Sequence, residues 1–195
     1  MCGRYSLRKH ESVKDSFGEF DIKTSFNIFP KSKILIYSER LNYIDWGFTP
    51  YWADKKFDLI NARIETLSSK PSFENSSRCL IPADGWYEWK VIDGIKSPFY
   101  FHLKGGMFCF GGVYGGYRGK VGGAIVTTES SEHLKSVHDR MPFIVSRSQY
   151  ADWMSGNDID VFDKNTASKI DCYQVSTYMN NPFNNDENCI KPKFL

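Results

Sequence analysis

Cysteine stands second in the chain, behind Met1 and ahead of Gly3-Arg4. A side chain that small in second position permits removal of Met1, which would leave a thiol and a free α-amine on one α-carbon. Their reference pKa values, roughly 8 for the amine and 8.5 for the thiol, leave both partly unmasked at neutral pH. Together they can capture an aldehyde: the amine forms an imine, and the thiol then closes a five-membered thiazolidine. The hydrolytic alternative has the thiol attack a carbonyl while the amine serves as its base. With Met1 attached the nitrogen is an amide, and ring closure is blocked.

Further along, polar residues stand where a structural pattern alone would favour apolar ones. In Leu59-Ile60-Asn61-Ala62-Arg63-Ile64-Glu65, Asn61 and Arg63 share one face of an extended segment. They either face solvent or set an amide beside a guanidinium, a pairing suited to phosphate or carbonyl oxygen. Glu88 follows Trp86 and Tyr87 and precedes Trp89. It either points outward from an alternating strand or is desolvated among aromatics, which raises its pKa toward that of a general acid or base. In His138-Asp139-Arg140-Met141-Pro142, His138 could shuttle protons and Arg140 read a phosphate. A helix C-cap is the structural alternative for His138. Arg4, two residues beyond Cys2, completes the set.

Metal and nucleotide-loop chemistry find no support. His133 and His138, five residues apart, fall on different helical faces, and the five cysteines form no C-x-x-C pair. Neither a phosphate loop nor a dinucleotide fingerprint occurs. The odd, scattered cysteines fit reduced thiols and a cytoplasmic protein. No leader or membrane-length apolar run is visible. A net charge of +2 excludes a generic polyanion binder, so an anion site must be local. Arg4, Arg8 and Lys9 crowd the first ten residues, whereas 152–171 holds five Asp against two Lys. An anion site is therefore expected near the N-terminus.

These residues need a frame. At 195 residues the chain is expected to form a single domain, 1–195. Helices are predicted over 8–17, from Ser130 or Ser131 to about Val137, and over 147–154. Strands are predicted over 33–37, 43–48, 98–103, 107–113 and 122–127. Trp89-Lys90-Val91-Ile92 followed by Asp93-Gly94 and Ile95-Lys96 is a strong hairpin signal, because Asp-Gly suits a type I′ turn. Many strands with few short helices argue for an α+β fold: a mostly antiparallel, barrel-like β-sheet with short peripheral helices.

Read in order, the segments resemble the SRAP family, the SOS response-associated peptidase-like proteins that cross-link to abasic DNA. The matching motifs are Cys2-Gly3-Arg4, Trp46-Gly47 with Pro50 and Trp52, Asn61-Ala62-Arg63-Ile64-Glu65-Thr66 and Arg78–Trp89. Thr127-Thr128-Glu129, His138–Pro142, Val175-Ser176 and the stretch from Asn181 to Pro192 continue the series. The resemblance implies a sensor and shield of abasic sites in single-stranded DNA. Cys2 would be the nucleophile, Glu88 the catalytic carboxylate and His138 its partner in sugar-ring opening and imine chemistry. Asn61 would hold the reacting centre, Arg4, Arg63 and Arg140 would bind phosphates, and Trp52 would flank the DNA path. No cofactor, metal or membrane is implied, and a monomer is expected, nucleoid-associated when bound to DNA. A cysteine-type N-terminal-nucleophile peptidase or amidohydrolase, acting on its own Met1 or another peptide, is the alternative. One position departs from the family pattern: Phe29, in Phe26-Asn27-Ile28-Phe29-Pro30, stands where Ala is usual, which reshapes the wall around Asn27.

Overall fold

The computed structural model describes residues 2–104, 106–157, 159, 166 and 168–193. In chain order it opens with β1 (Tyr5–Leu7), α1 (His10–Phe17), β2 (Ser25–Ile28), β3 (Lys33–Tyr37), β4 (Leu41–Trp46) and β5 (Asn61–Arg63). Longer strands follow: β6 (Ser77–Ala83), β7 (Gly85–Ile92), β8 (Ile95–Leu103), β9 (Phe108–Tyr117) and β10 (Lys120–Glu129). Then come β11 (Arg140–Pro142), β12 (Ile144–Val145), α2 (Tyr150–Ser155) and β13 (Ile170–Gln174). This is the α+β, largely antiparallel architecture that the sequence predicts.

Five strands close into a barrel. β10 pairs with β4, β4 with β3, β3 with β6, β6 with β9, and β9 returns to β10. The β4–β10 pairing is parallel and the other four are antiparallel, and closure leaves the ring without a free edge. β5 extends the sheet by pairing in parallel with β10, and β11 pairs antiparallel with the end of β10. A second, antiparallel sheet runs in the order β13-β8-β7-β1-β2. The Asp93-Gly94 turn joins β7 to β8 with φ of 49° and 76°, the positive values that a type I′ turn requires.

The Trp residues divide by role. Trp46, Trp86 and Trp153 are fully buried, whereas Trp52 is 48% exposed. Cys2 lies in the same apolar cluster as Trp46 and Trp86. The reason is the insertion of β1 between β2 and β7, with Tyr5 opposite Ile28 on one side and Trp86 on the other. Two further backbone bonds hold the strand: Tyr87 N–H to Arg4 O and Asp84 N–H to Ser6 O, both 2.9 Å.

A buried carboxylate fastens the end of β1. Asp84 accepts from the Ser6 hydroxyl at 2.6 Å, from Arg8 Nε at 3.0 Å and from the Lys9 backbone N–H at 3.0 Å. Those bonds explain why α1 starts at His10 rather than at Arg8 as predicted. The Tyr100 hydroxyl closes the cluster, 2.9 Å from Ser6 Oγ. It does so because position 85 is glycine, where a Cβ would meet that hydroxyl at 2.1 Å.

Two predicted helices need correction. Residues 131–138 form successive turns, with Leu134 N–H bonded to Ser131 O and His138 N–H to Leu134 O. Leu134 is the segment's one buried apolar side chain, too little to dock a helix of that length. His138 is thus not a helix cap. The predicted 147–154 helix begins with a 3-10 turn at Arg147–Gln149 and becomes α-helical over α2. Of the five late Asp, 158, 160 and 163 lie outside the described residues, as does Met1. No helix among the described residues is long and apolar enough to cross a membrane.

Asp84→Ala should lower the unfolding free energy by about 2–4 kcal/mol, because it strands the buried Ser6 hydroxyl and the half-buried Arg8 charge. Urea denaturation measures this, and a loss below about 0.5 kcal/mol would contradict the anchoring role.

Candidate active site

Glu88 follows Trp86 by two residues on β7, so both point to the same side of the strand. Trp86 stacks on Phe101 at 5.1 Å, and Glu88 beside it is 3% exposed. The inward reading of Glu88 is the one the fold adopts. Desolvation raises its pKa to about 7, with Asp139 adding to the rise and Lys96 opposing it.

His138 arrives from the barrel side, on the loop leading into β11. Its Nε2 lies 3.9 Å from Glu88 Oε2. Its Nδ1 sits between two groups of Arg140, 3.0 Å from the backbone N–H and 3.1 Å from the carbonyl. When Nδ1 accepts from that N–H, the ring proton is at Nε2, facing Glu88. Burial pushes the imidazole pKa below its usual value. Near pH 7 a neutral ring thus presents its Nε2–H toward a carboxyl close to half-protonated, so the carboxyl is the group that can give or take a proton there and the ring stands beside it as a donor.

Cys2 completes this group. Its thiol is fully buried, with Sγ 3.8 Å from Arg4 O, and burial plus the Glu88 charge push its pKa well up. The sulfur is a protonated thiol at rest, so its nucleophilic use requires a nearby base.

Asn61 and Arg63 lie on β5, with Ala62 buried between them. Trp46 Nε1 donates to Ile60 O at 2.9 Å and fixes the strand's entry. Asn61 Nδ2 donates to Ile125 O at 3.4 Å, whereas its buried Oδ1 has no partner. Asn61 and Arg63 open onto a groove of about 640 Å³ that Thr66, Ser69, Lys70 and Phe73 also line. Trp52 stands near it, with Nε1 3.4 Å from Pro71 O.

The remaining two arginines are engaged. Arg140 pairs with Glu65 through both guanidinium ends, at 2.7 and 3.0 Å, and Nη2 also donates to Thr127 O at 2.8 Å. That bond to Arg140 holds the Glu65 carboxyl below its ordinary pKa. Arg140 is therefore not the unencumbered phosphate reader that the sequence suggests; any phosphate must share it with Glu65. Arg4 turns toward the C-terminal turns, donating to Asn27 Oδ1 at 2.8 Å and Met179 O at 3.3 Å. Glu65 and Asp84 were not singled out from sequence, and Asn27 was named only for the wall that Phe29 reshapes. A carboxylate four residues from Asn61, inside a recognisable motif, was the one available hint.

Over residues 1–182 the chain matches the SOS response associated peptidase (SRAP) family. It belongs to that family. Abasic site processing protein YoqW of Bacillus subtilis is 34% identical to this SRAP chain over 222 residues, covering 98% of this chain and 99% of that one. Abasic site processing protein YedK of Escherichia coli is 32% identical, covering 79% of each. A crystal structure of a protein from Bacteroides thetaiotaomicron shares the SRAP fold seen here, with a TM-score of 0.81 at 21% identity, covering 99% of this chain and all of that one. A phage-related protein from Bordetella bronchiseptica gives a TM-score of 0.70 at 26% identity, over 89% of this chain and 94% of that one. Among the described residues, no group of His, Cys, Asp and Glu is arranged to hold a metal ion.

The raised Glu88 pKa has a consequence for stability. A carboxyl that titrates near 7 when folded and near 4.5 when unfolded stabilises the fold below pH 4.5, and that contribution is lost as pH rises through 7. Glu88→Gln should remove a decline on the order of 2 kcal/mol between pH 5 and 8. Identical pH slopes for the two proteins in urea titrations would contradict the buried-carboxyl assignment.

Proposed function

We propose that this SRAP protein captures abasic sites in single-stranded DNA through a covalent thiazolidine on Cys2, formed once Met1 has been removed. The observation that carries the proposal is the approach of His138 to the buried Glu88, beside a buried Cys2. The names of the relatives, abasic site processing proteins, supply the substrate class.

The steps balance as follows. An abasic deoxyribose is mostly a closed hemiacetal, and Glu88 with His138 moves the proton from the ring hydroxyl to the ring oxygen, opening it to the aldehyde. The Cys2 amine adds to the aldehyde carbon, and the resulting carbinolamine takes a proton on its hydroxyl from the Glu88 carboxyl and loses one water to give a protonated imine. The thiol then adds to that carbon, and its proton leaves to a neighbouring base, for which Glu88 is placed. One water is released overall. The protonated resting thiol suits this order, because the amine attacks first and the cationic imine is the electrophile that sulfur meets. Asn61, with its unpartnered Oδ1, is assigned to hold the reacting centre.

Arg63 and the adjoining groove are assigned to the phosphates, with Trp52 as a stacking surface and Arg4 and Arg140 as supporting cations. The chemistry draws on no metal or cofactor, and we infer a cytoplasmic monomer acting on nucleoid DNA. A second reading rests on the family's own description as a peptidase. In it, Glu88 or His138 assists attack of the Cys2 thiol on an amide, including that of Met1.

A denaturing gel with abasic single-stranded DNA tests the main reading. We expect a heat-stable protein–DNA band that Cys2→Ala abolishes, and no such band from processed wild type would overturn it. Cys2→Ser should retain DNA binding but lose the stable adduct, because oxygen closes a poorer ring. Peptide turnover without a cross-link would select the second reading. For binding, Arg63→Ala should reduce the slope of log affinity against log salt by about 0.7, the effect of one lost phosphate contact to a single strand. Arg140→Ala should change that slope less, since Glu65 already neutralises it.

A further inference from the structure

A second cleft adjoins the site from the other side of Arg4. It measures about 420 Å³, within the range of small-molecule sites. Leu7, Ile28 and Leu35 line it with apolar surface, and Phe29 and Tyr43 contribute aromatic rings. Polar groups stand among these walls. Asn185 Oδ1 is taken by Ser25 Oγ at 3.1 Å and Phe26 N–H at 2.6 Å, which leaves its Nδ2 donors available. Two lysines line the cleft. Lys33 is paired with Asp45 at 2.7 Å, whereas Lys23 has no carboxylate partner among the described residues.

The cleft shares a wall with the site. Phe29 lines it, and the same ring lies 5.8 Å from the Arg4 guanidinium. Asn27 also lines it while holding Arg4 through Oδ1. Its Nδ2 is fully committed, donating to the carbonyls of Met179, Asn181 and Asn184 at 3.0, 3.1 and 2.7 Å. The wall is thereby rigid, and whatever fills the cleft bears on the arginine two residues from Cys2.

We propose that the cleft behind Phe29 is a nucleotide subsite, taking one base that neighbours the abasic position against Phe29 and Tyr43, with its phosphate at Lys23. Flat aromatic surface suits any base, amide and hydroxyl groups meet its edge, and the unpaired ammonium meets the anion. A free nucleotide offers the same chemistry, so the test separates the two sources. The inference rests on the DNA reading of the adjoining site.

Titration of the Met1-processed protein with dAMP, followed through the backbone amides of Lys23, Phe29 and Ser32, tests it directly. dAMP should shift these amides, and 1,2-dideoxyribose 5-phosphate, which lacks the base and cannot open to an aldehyde, should shift Phe29 and Ser32 far less. Lys23→Ala should weaken dAMP binding about fivefold or more, and Lys23→Arg should restore it. Unmoved amides at millimolar dAMP overturn the subsite, as does a phenylalanine-containing tetrapeptide that shifts them when dAMP does not. Abasic oligonucleotides in which either neighbouring nucleotide is replaced by a tetrahydrofuran spacer identify the strand as the source. One replacement should slow cross-linking about fivefold in wild type and have no effect in Phe29→Ala. Equal rates for both replacements and the intact strand, with dAMP still shifting the amides, assign the cleft to free nucleotide and overturn the strand assignment. Failure of all cross-linking with dAMP shifts intact would instead fault the reading of the Cys2 site.

Discussion

The insertion of β1 between β2 and β7 is the constraint on which the site depends. Three residues of strand, paired on both sides, carry the N-terminal segment into the main apolar cluster. The register that sets Tyr5 against Trp86 and Ser6 against Gly85, carried back along the chain, runs residues 2–3 alongside Glu88. A segment so short has little pairing energy of its own. Its position is secured from the far end by Asp84, which gathers Ser6, Arg8 and Lys9 around one buried carboxylate. Structural polarity and chemical polarity are thus separated along the chain: Asp84 is saturated with donors and holds the strand, and Glu88, four residues on, is desolvated and titrates near neutrality.

One physical effect, desolvation, prepares three groups in different ways. It raises the Glu88 carboxyl to about 7, lowers His138 and raises the Cys2 thiol. The first shift brings a carboxyl into the neutral range and the second disfavours charge on the imidazole beside it, whereas the third withholds the thiolate. A protected thiol is consistent with a reagent that must wait for an electrophile instead of reacting with passing oxidants. In the reading we propose, the electrophile is made on the amine of the same residue, and the order of bond formation follows from the electrostatics.

The barrel supplies the other half of the site for a topological reason. β10 is long enough to pair with β4, β5, β9 and β11 along its length, and β5 and β11 bring Asn61 and the His138 loop to the same end. The Arg140–Glu65 pair ties those two segments together. Arg140 therefore belongs as much to the positioning of His138, through its backbone contacts to Nδ1, as to any external anion. Two openings flank this centre. The groove at Arg63 is polar and open, and the cleft at Phe29 is apolar with a cationic edge.

Much of the chemistry was legible in residue types. Cys2 at the second position, a carboxylate among Trp and Tyr, a His before Arg-Met-Pro and the Asp-Gly hairpin turn each carry a local signal, and their order identifies the family. The apolar run of β3 and the hairpin of β7 and β8 were likewise readable, because a continuous apolar segment and a turn dipeptide are local properties. Short strands such as β1 and β11 were not, since three residues have no period and exist only through their neighbours. The turns of 131–138 misled for the converse reason: helix-compatible residues without enough buried apolar surface do not make a helix. What the sequence by itself determined was which groups could react. Tertiary structure alone decided that Glu88 faces inward, that Arg140 is already paired, and that Cys2 is buried beside the acid. Those outcomes depend on desolvation and on distances between residues far apart in the chain, and neither is encoded in local spacing.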